Sequence, residues 1–274
     1  MNEVHVRDLY LDTMANVLTR YDFEGSTTTL IPPAGSPAMD LWNSLCAEFP
    51  ERSLRLVDSG VFDAKLRAEG KDWPAEAETM VGLRRLENIR TCVQSVLDEN
   101  VPGDLIETGV WRGGVTIYMR AILAANGVSD RVVWVADSFQ GLPEPDSRYP
   151  DDTDAQWHTY DALAVSEDEV RANFRRYGLL DDQVRFLAGW FEDTLPDTPI
   201  DKLAVLRLDG DMYGSTIQVL NALYDKVPSG GFVIVDDYAS VPACAQAVTD
   251  FRSERGISEP IETIDWSGVF WRKT

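Results

Sequence analysis

The stretch Leu203-Ala-Val-Leu-Arg-Leu-Asp209-Gly-Asp211 is a short, mostly apolar run that ends in acidic residues. A second stretch, Gly230-Gly-Phe-Val-Ile-Val-Asp236-Asp237, has the same form. Each predicts a buried parallel strand, because strands covered on both faces are apolar along their whole length. The acidic residues then lie at the carboxyl edge of the sheet, where open α/β folds bind ligands. The two stretches therefore predict an α/β fold with a ligand site at that edge.

Four carboxylates at one edge of a sheet repel each other unless a cation lies among them. Oxygen ligands of this kind suit hard divalent cations such as Mg²⁺, Mn²⁺ or Ca²⁺. Pairs such as Asp236-Asp237 also cap helices or begin turns, but Asp209 and Asp211 on a second strand favour the metal. The sequence predicts a metal-assisted active site.

The composition limits the kind of partner. The chain has 274 residues, 44% of them hydrophobic, which fits one large α/β domain, alone or with a helical appendage. Its formal net charge of −21 argues against a nucleic-acid partner, because phosphate binding requires basic patches. The chain does not begin like a signal peptide, and no apolar run approaches membrane-spanning length, so no membrane partner is expected. The single cysteines at 46, 92 and 244 are typical of a reduced, cytoplasmic protein.

From Gly103 onward, predicted strands and helices alternate along the chain. The strands are expected at 104–108, 132–136, 184–187, 203–208 and 232–235, and the helices at 114–125, 166–177, 215–226 and 242–254. This alternation predicts a doubly wound parallel sheet. Residues 261–272 predict two final strands around the turn Asp265-Trp-Ser-Gly268. An antiparallel hairpin that closes a parallel sheet resembles the ending of the S-adenosylmethionine-dependent methyltransferase fold.

A glycine turn follows the first of these strands, in Glu107-Thr-Gly109-Val-Trp-Arg-Gly113-Gly114. The pattern lacks the middle glycine of GxGxxG, which weakens a dinucleotide interpretation. An acidic residue directly before the turn favours a ligand with a positive amine, such as the methionine part of S-adenosylmethionine. Asp137 ends the second strand, where a carboxylate accepts ribose hydroxyls in related folds. Trp190, after the third strand, covers an adenine ring or simply packs.

These motifs resemble the macrocin O-methyltransferase family, whose members methylate sugar hydroxyls of macrolides, aminocoumarins and related natural products. The resemblance covers about residues 71–274 and rests on residues 107–114, 134–141, 176–181, 186–191, 207–213 and 235–238. It implies a class I S-adenosylmethionine-dependent methyltransferase fold at 76–274: a doubly wound, mostly parallel seven-stranded sheet with a C-terminal antiparallel hairpin. It also implies a homodimer or higher homo-oligomer.

The resemblance further implies roles for individual residues. Asp209, Asp236 and Asp237 are the expected Mg²⁺ ligands, and Asp211 is the expected general base. The expected contacts of the cofactor S-adenosylmethionine are Glu107, Gly109, Asp137 and Ser138. Thr79 and Met80, on a second helix expected at 76–98, resemble the segment that folds over the methionine end.

Residues 1–75 predict an N-terminal helical arm and lid. A first helix is expected at 3–22, because apolar side chains recur there at helical spacing, at Val6, Leu9, Tyr10, Thr13, Met14, Val17 and Leu18. The following segment, 25–73, is rich in proline, serine and glycine. Such a segment forms a lid, a dimerisation arm or an ordinary surface loop.

The predicted chemistry is methylation of a hydroxyl on a glycosylated small molecule. A sugar hydroxyl must lose its proton during transfer, and a metal acidifies and orients it. Asp209 and Asp211 alternate along an extended strand end, so both side chains are expected on one face. The alternatives are a catechol-type O-methyltransferase, a metal-dependent glycosyltransferase that uses Asp209-Gly-Asp211, and a non-catalytic binding subunit.

Overall fold

A mostly parallel sheet forms the centre of the protein. The computed structural model describes residues 3–21, 27–52, 54–58, 62–72 and 74–274. Within these ranges the main sheet contains β1 (Asp104–Thr108), β2 (Val133–Asp137), β3 (Val184–Ala188), β4 (Leu203–Leu208), β5 (Phe232–Val235), β6 (Glu262–Thr263) and β7 (Val269–Arg272). The strands lie in the order β3-β2-β1-β4-β5-β7-β6. Strands β1 to β5 are parallel, and β7 pairs antiparallel with β5 and β6. The predicted class I methyltransferase fold is confirmed.

Helices connect the strands and cover the sheet. In the described ranges they are α1 (Glu3–Thr19), α2 (Pro37–Glu48), α3 (Ala64–Glu69), α4 (Leu83–Asp98), α5 (Gly114–Ala125), α6 (Glu167–Arg176), α7 (Phe191–Thr194), α8 (Tyr213–Leu223) and α9 (Pro242–Arg255). Short 3₁₀ turns lie at Pro150–Asp152, Trp157–Thr159, Asp161–Leu163 and Tyr224–Lys226. Two paired two-residue strands, Thr28–Thr29 and Val57–Asp58, lie outside the main sheet. None of the described helices has the length and apolarity that a membrane span requires.

Two hydrophobic cores lie on opposite faces of the sheet. Leu105 of β1 belongs to the core that contains side chains of α1, α4, α5 and α6. The next residue, Ile106, belongs to the core that contains side chains of α8 and α9. Successive side chains of a strand point to opposite faces, which explains this division. Helices thus cover both faces of the sheet, and its carboxyl edge remains available for the predicted ligand site.

The second helix is shorter than the sequence predicts. Helix α4 begins at Leu83 rather than near residue 76, so Thr79 and Met80 lie in the loop before it. The backbone of this loop bonds to other parts of the chain: Glu78 N donates to the Leu18 carbonyl, and Gly114 N donates to the Glu78 carbonyl. Such contacts replace the hydrogen bonds of another helical turn. The Thr79 hydroxyl also accepts from Val81 N, a local bond that competes with helix.

The N-terminal segment differs from the prediction in detail. Helix α1 buries Leu11, Met14 and Leu18 against α4 and α5, but Leu9 is 55% exposed. The predicted apolar positions Val6 and Tyr10 are also exposed. The helix ends at Thr19, and the predicted end at residue 22 lies outside the described residues. So do residues 25, 26, 53, 59–61 and 73 of the segment 25–73, which was predicted as a lid, a dimerisation arm or a loop. The division into an arm and a main domain stays a prediction.

Candidate active site

The ends of β4 and β5 bring the three predicted metal ligands together. The two strands pair as far as Leu208 and Val235, so the residues that follow are neighbours. One carboxylate oxygen from each of Asp209, Asp236 and Asp237 lies within 4.8 Å of the others. Opposite ligands of one octahedral Mg²⁺ are about 4.2 Å apart, since each bond is about 2.1 Å. A small side-chain movement therefore suffices for these oxygens to share one ion.

Asp211 lies beside this group, but it is not on an extended strand end as the sequence predicted. Strand β4 ends at Leu208, and Asp211 has a left-handed backbone with φ of 54°. It is therefore in a turn rather than on an extended strand end. Its backbone N–H donates to Oδ2 of Asp237 at 3.3 Å, which holds the turn against the end of β5. Non-glycine residues in this conformation carry strain and are found often at functional sites.

Burial and mutual repulsion disfavour the charged forms of these acids. Burial raises the pKa of Asp211 to about 7, and the charges of Asp209 and Asp236 add to the effect. Burial also raises the pKa of Asp209 to about 6, with a further contribution from Asp236. The pKa of Asp237 is raised well above its usual range by burial and by the neighbouring carboxylates. A bound divalent cation would oppose each of these shifts, because it favours the charged carboxylate. The donor set thus fits a cation.

Two buried arginines link the acids into one network. Arg207 is 1% exposed, and its guanidinium donates to Glu107, to Asp236 and, at 2.7 Å, to Asp209. It therefore connects the acid of the glycine turn with two predicted metal ligands. Sequence reasoning missed this role. The available signal was a single charged residue inside the apolar run of β4, which requires a buried partner.

The second arginine, Arg85 of α4, extends the network to the terminal hairpin. It donates to the other oxygen of Asp236 and, at 3.0 Å, to Asp265. Asp265 also accepts from the backbone of Ser267 and Gly268, so it orders the hairpin turn. The two guanidiniums lie among more carboxylates than they can neutralise: Glu107, Asp209, Asp211, Asp236, Asp237 and Asp265. A cationic ligand would therefore favour the charged forms of those acids whose pKa is raised.

Glu107 has a free oxygen at this site. Its Oε1 accepts from Arg207, whereas its buried Oε2 has no hydrogen-bond partner among the described residues. Burial raises the pKa of Glu107 well above its usual range, although Arg207 opposes this. A buried carboxylate oxygen without a partner costs free energy, and a ligand amine would satisfy it. The predicted amine-binding role fits this geometry.

Gly109 allows the glycine turn to touch the predicted metal-binding strand. Its φ is +86°, and a Cβ added there would lie 1.8 Å from the carbonyl oxygen of Asp209. No side chain fits in that space. The two turns are therefore in direct backbone contact, so a cofactor at one would lie close to a metal at the other.

Asp137 joins the tip of β2 to the glycine turn. Its Oδ2 accepts from Val110 N and its Oδ1 from Phe139 N, both at 2.7 Å. The backbone of Trp111 and the Ser138 hydroxyl, whose Oγ lies 3.4 Å from Oδ1, also interact with this carboxylate, so it is held firmly at the wall of the first cavity. Ser138 is 9% exposed, and its hydroxyl donates to the Gly141 carbonyl at 2.7 Å.

Two cavities meet at the acidic strand tip. The first, of about 560 Å³, is lined by the predicted cofactor residues Gly109, Asp137, Ser138 and Trp190. The second, of about 610 Å³, is lined by Thr79, Glu107, Asp236 and Asp237. Residues that line both are Met80, Trp111, Leu163, Asp209 and Asp211. The structure thus brings every predicted site residue to one of two adjoining cavities, and Asp209 and Asp211 lie at their junction.

Comparison with known proteins matches this chain to O-methyltransferases. Residues 7–273 match the family described as Macrocin-O-methyltransferase. The chain is 58% identical over 212 residues to demethyldecarbamoylnovobiocin O-methyltransferase of Streptomyces niveus, covering 77% of this chain and 81% of that protein. It is 51% identical over 223 residues to mycinamicin III 3″-O-methyltransferase of Micromonospora griseorubida, covering 80% of this chain and 87% of that protein.

A third relative matches almost the whole chain. It is 8-demethyl-8-(2,3-dimethoxy-α-L-rhamnosyl)-tetracenomycin-C 4′-O-methyltransferase of Streptomyces olivaceus, 50% identical over 270 residues, with 98% of this chain and 94% of that protein covered. The solved structure of the O-methyltransferase NovP superposes with a TM-score of 0.84 at 49% identity and covers 98% of this chain and 99% of its own. With the fold and the grouped acids, these matches show that the chain belongs to the macrocin O-methyltransferase family.

Proposed function

We propose that this protein is a Mg²⁺-dependent O-methyltransferase that transfers a methyl group from S-adenosylmethionine to a hydroxyl of a (deoxy)sugar on a glycosylated natural product such as a macrolide. The junction of the two cavities carries this proposal. A donor that runs from Asp137 in the first cavity to Glu107 in the second would pass this junction, where Asp209 and Asp211 would lie beside an acceptor.

The cofactor proposal is supported by the residues of both cavities. Asp137, Ser138 and Trp190 would hold the adenosine part, and the free Oε2 of Glu107 would accept from the methionine amine. Met80 lines both cavities, as expected for a residue over the methionine end. When bound, S-adenosylmethionine supplies the electrophilic methyl group.

The metal and base proposals are supported by the acids at the strand tips. Asp209, Asp236 and Asp237 would hold Mg²⁺, which supplies positive charge that acidifies an acceptor hydroxyl. Asp211 would accept the hydroxyl proton. It is half-buried at the junction of the cavities, close enough to the ligands that its N–H bonds to Asp237. Without the proton, the acceptor oxygen is a sufficiently strong nucleophile for methyl transfer.

The acceptor class is supported by the relatives. One relative's name specifies a rhamnosyl group as part of its substrate. A catechol-type enzyme would use the same acids for an aromatic vicinal diol, and the names of the relatives give this alternative no support. A cytoplasmic location is supported by the three unpaired cysteines. A homodimer or higher homo-oligomer stays a prediction. Helix α2 buries no side chain and leaves Leu41 73% exposed, so it offers an apolar surface for such an interface.

A methylation screen tests the acceptor class. The enzyme, Mg²⁺ and S-adenosylmethionine are incubated with a glycosylated macrolide, its aglycone or a catechol, and the products are measured by mass spectrometry. A parallel reaction contains UDP-glucose instead of S-adenosylmethionine. We expect one added methyl group on the glycosylated compound and none on the aglycone. Methylation of the catechol alone, or glucose transfer, would contradict the proposal.

Glu107→Gln tests the amine-binding role of the cofactor site. The variant keeps the size of the side chain but removes its charge, and a charged hydrogen bond is worth roughly 1.5–3 kcal/mol. We expect the dissociation constant of S-adenosylhomocysteine, measured by calorimetry, to rise by ~10-fold or more. Binding of 5′-methylthioadenosine is the control, because this compound lacks the amino-acid part and should be unaffected. Equal losses for both ligands would show that Glu107 acts only through the fold.

A further inference from the structure

Helix α8 has no capping side chain of its own. Met212 occupies the N-cap position and makes no side-chain hydrogen bond to the helix. The first N–H groups of a helix nevertheless need acceptors. Here the carboxylate of Asp152 accepts from two of these groups. Its Oδ1 accepts from Tyr213 N at 2.7 Å, and its Oδ2 accepts from Gly214 N at 2.8 Å. Asp152 is 2% exposed, so the bonds are shielded from water.

Asp152 belongs to a loop that lines the first cavity. We call residues 142–163, between β2 and α6, the cavity loop; its members Leu142, Tyr149, Asp152, His158 and Leu163 all line that cavity. Elsewhere the loop is held by the indole N–H of Trp111, which donates to the Ala162 carbonyl at 2.9 Å. The loop therefore forms a wall of the proposed cofactor site.

The loop and the helix pack closely around the Asp152 bonds. The ring centroids of Tyr149 and Tyr213 lie 5.9 Å apart. A Cβ added to Gly214 would lie 2.6 Å from the ring of Tyr149, so only glycine allows this approach. The cavity loop and α8 thus fit each other in shape and are also joined by hydrogen bonds, so the loop is attached to the helix at a defined position.

The same bonds fix the chain that follows the proposed base. Helix α8 begins two residues after Asp211, whose left-handed backbone is strained and has to be held by its surroundings. Gly109 contacts the chain before Asp211 at the Asp209 carbonyl. Asp152 holds the chain after it, at Tyr213 and Gly214.

We infer that Asp152 is a positioning residue: it fastens the cavity loop over the bound cofactor and fixes the start of α8 behind Asp211. The inference rests on the proposed function, because it assumes that S-adenosylmethionine occupies the first cavity. Asp152 itself contacts no reacting atom and acts through the loop and the helix.

Three variants test this inference. Asp152→Ala removes both bonds, and Asp152→Asn keeps one acceptor oxygen. Asp151→Ala is the matched control, because Asp151 lies in the same 3₁₀ turn but is exposed. For each variant the dissociation constant and dissociation rate of S-adenosylhomocysteine are measured, together with kcat, KM and Tm.

Asp152→Ala should raise the dissociation constant and the dissociation rate of S-adenosylhomocysteine by about 3- to 30-fold, the range expected for loss of a helix cap. Its kcat should fall as well. Asp152→Asn should lie between wild type and Asp152→Ala, and Asp151→Ala should match wild type. If Asp152→Ala does not fold, the comparison of Asp152→Asn with Asp151→Ala decides the question.

A lower Tm with unchanged dissociation rate and kcat would overturn the inference, because a merely structural cap predicts that result. An equal effect of Asp151→Ala would overturn it too, since the loop as a whole would then be responsible. If wild type itself does not bind S-adenosylhomocysteine, the proposed function fails, and the inference fails with it. Wild-type binding with an unaffected Asp152→Ala variant contradicts the inference alone.

Discussion

Asp211→Asn should reduce turnover by ~10²-fold or more, because it removes the proposed proton acceptor. Asparagine keeps the size and shape of aspartate and tolerates the left-handed backbone that residue 211 adopts. The backbone bond from residue 211 to Asp237 does not involve the replaced side chain. The dissociation constants of Mg²⁺ and S-adenosylhomocysteine should therefore change little. Turnover is measured with saturating cofactor and acceptor, and both dissociation constants are measured by calorimetry.

Asp209→Asn is the matched comparison, because Asp209 lies at the same strand tip but is a proposed metal ligand. This variant should need a higher Mg²⁺ concentration for activity, and excess metal should recover part of the rate. Turnover of both variants is measured over a Mg²⁺ titration. If metal rescues Asp211→Asn but not Asp209→Asn, the two roles are reversed and the proposed mechanism is wrong.

Removal of divalent metal with EDTA should reduce turnover to the background rate. The three proposed ligands lie together at one edge of a sheet whose two cores do not depend on them. The fold and S-adenosylhomocysteine binding should therefore survive chelation. Circular dichroism and calorimetry in EDTA check these two points, and added Mg²⁺ should restore turnover. Full turnover in excess EDTA would end the metal hypothesis.

A ligand variant extends this test to the protein. Asp237 is the better choice than Asp236, because Asp236 also binds Arg85 and Arg207 and its loss would leave both arginines partly unpaired. Asp237→Asn should raise the Mg²⁺ concentration needed for half-maximal turnover. An unchanged Mg²⁺ requirement would remove Asp237 from the ligand set.

Local pattern was sufficient for the strands and for the grouping of the acids that we propose as metal ligands. Apolar runs such as 203–208 and 232–235 predict buried strands by themselves, and they are observed with those bounds. Parallel strands place their carboxyl ends at one edge, so the acids that follow β4 and β5 had to meet. Glu107 and Asp137 follow from the same rule at β1 and β2. These features depend on short sequence distances and on one topological rule.

The paired contacts at the site depend on residues far apart in the chain. Thr79 and Met80 were predicted in a helix, but the backbone around them bonds to α1 and to the glycine turn. Arg207 could be recognised as a buried charge, yet its partners Glu107 and Asp236 come from other strands. No local pattern specifies such partners.

The sequence by itself determined the sheet and the edge at which the acids lie, because periodicity and burial are written in neighbouring residues, and its motifs carried the resemblance to the family. The tertiary structure alone decided how the site is held. It turned Asp211 into a left-handed conformation, placed Arg85 and Arg207 among the acids, and joined Asp152 to a helix that begins 61 residues later. These arrangements follow from close packing and from the need of every buried polar group for a partner, and both conditions are met only when the whole chain has folded.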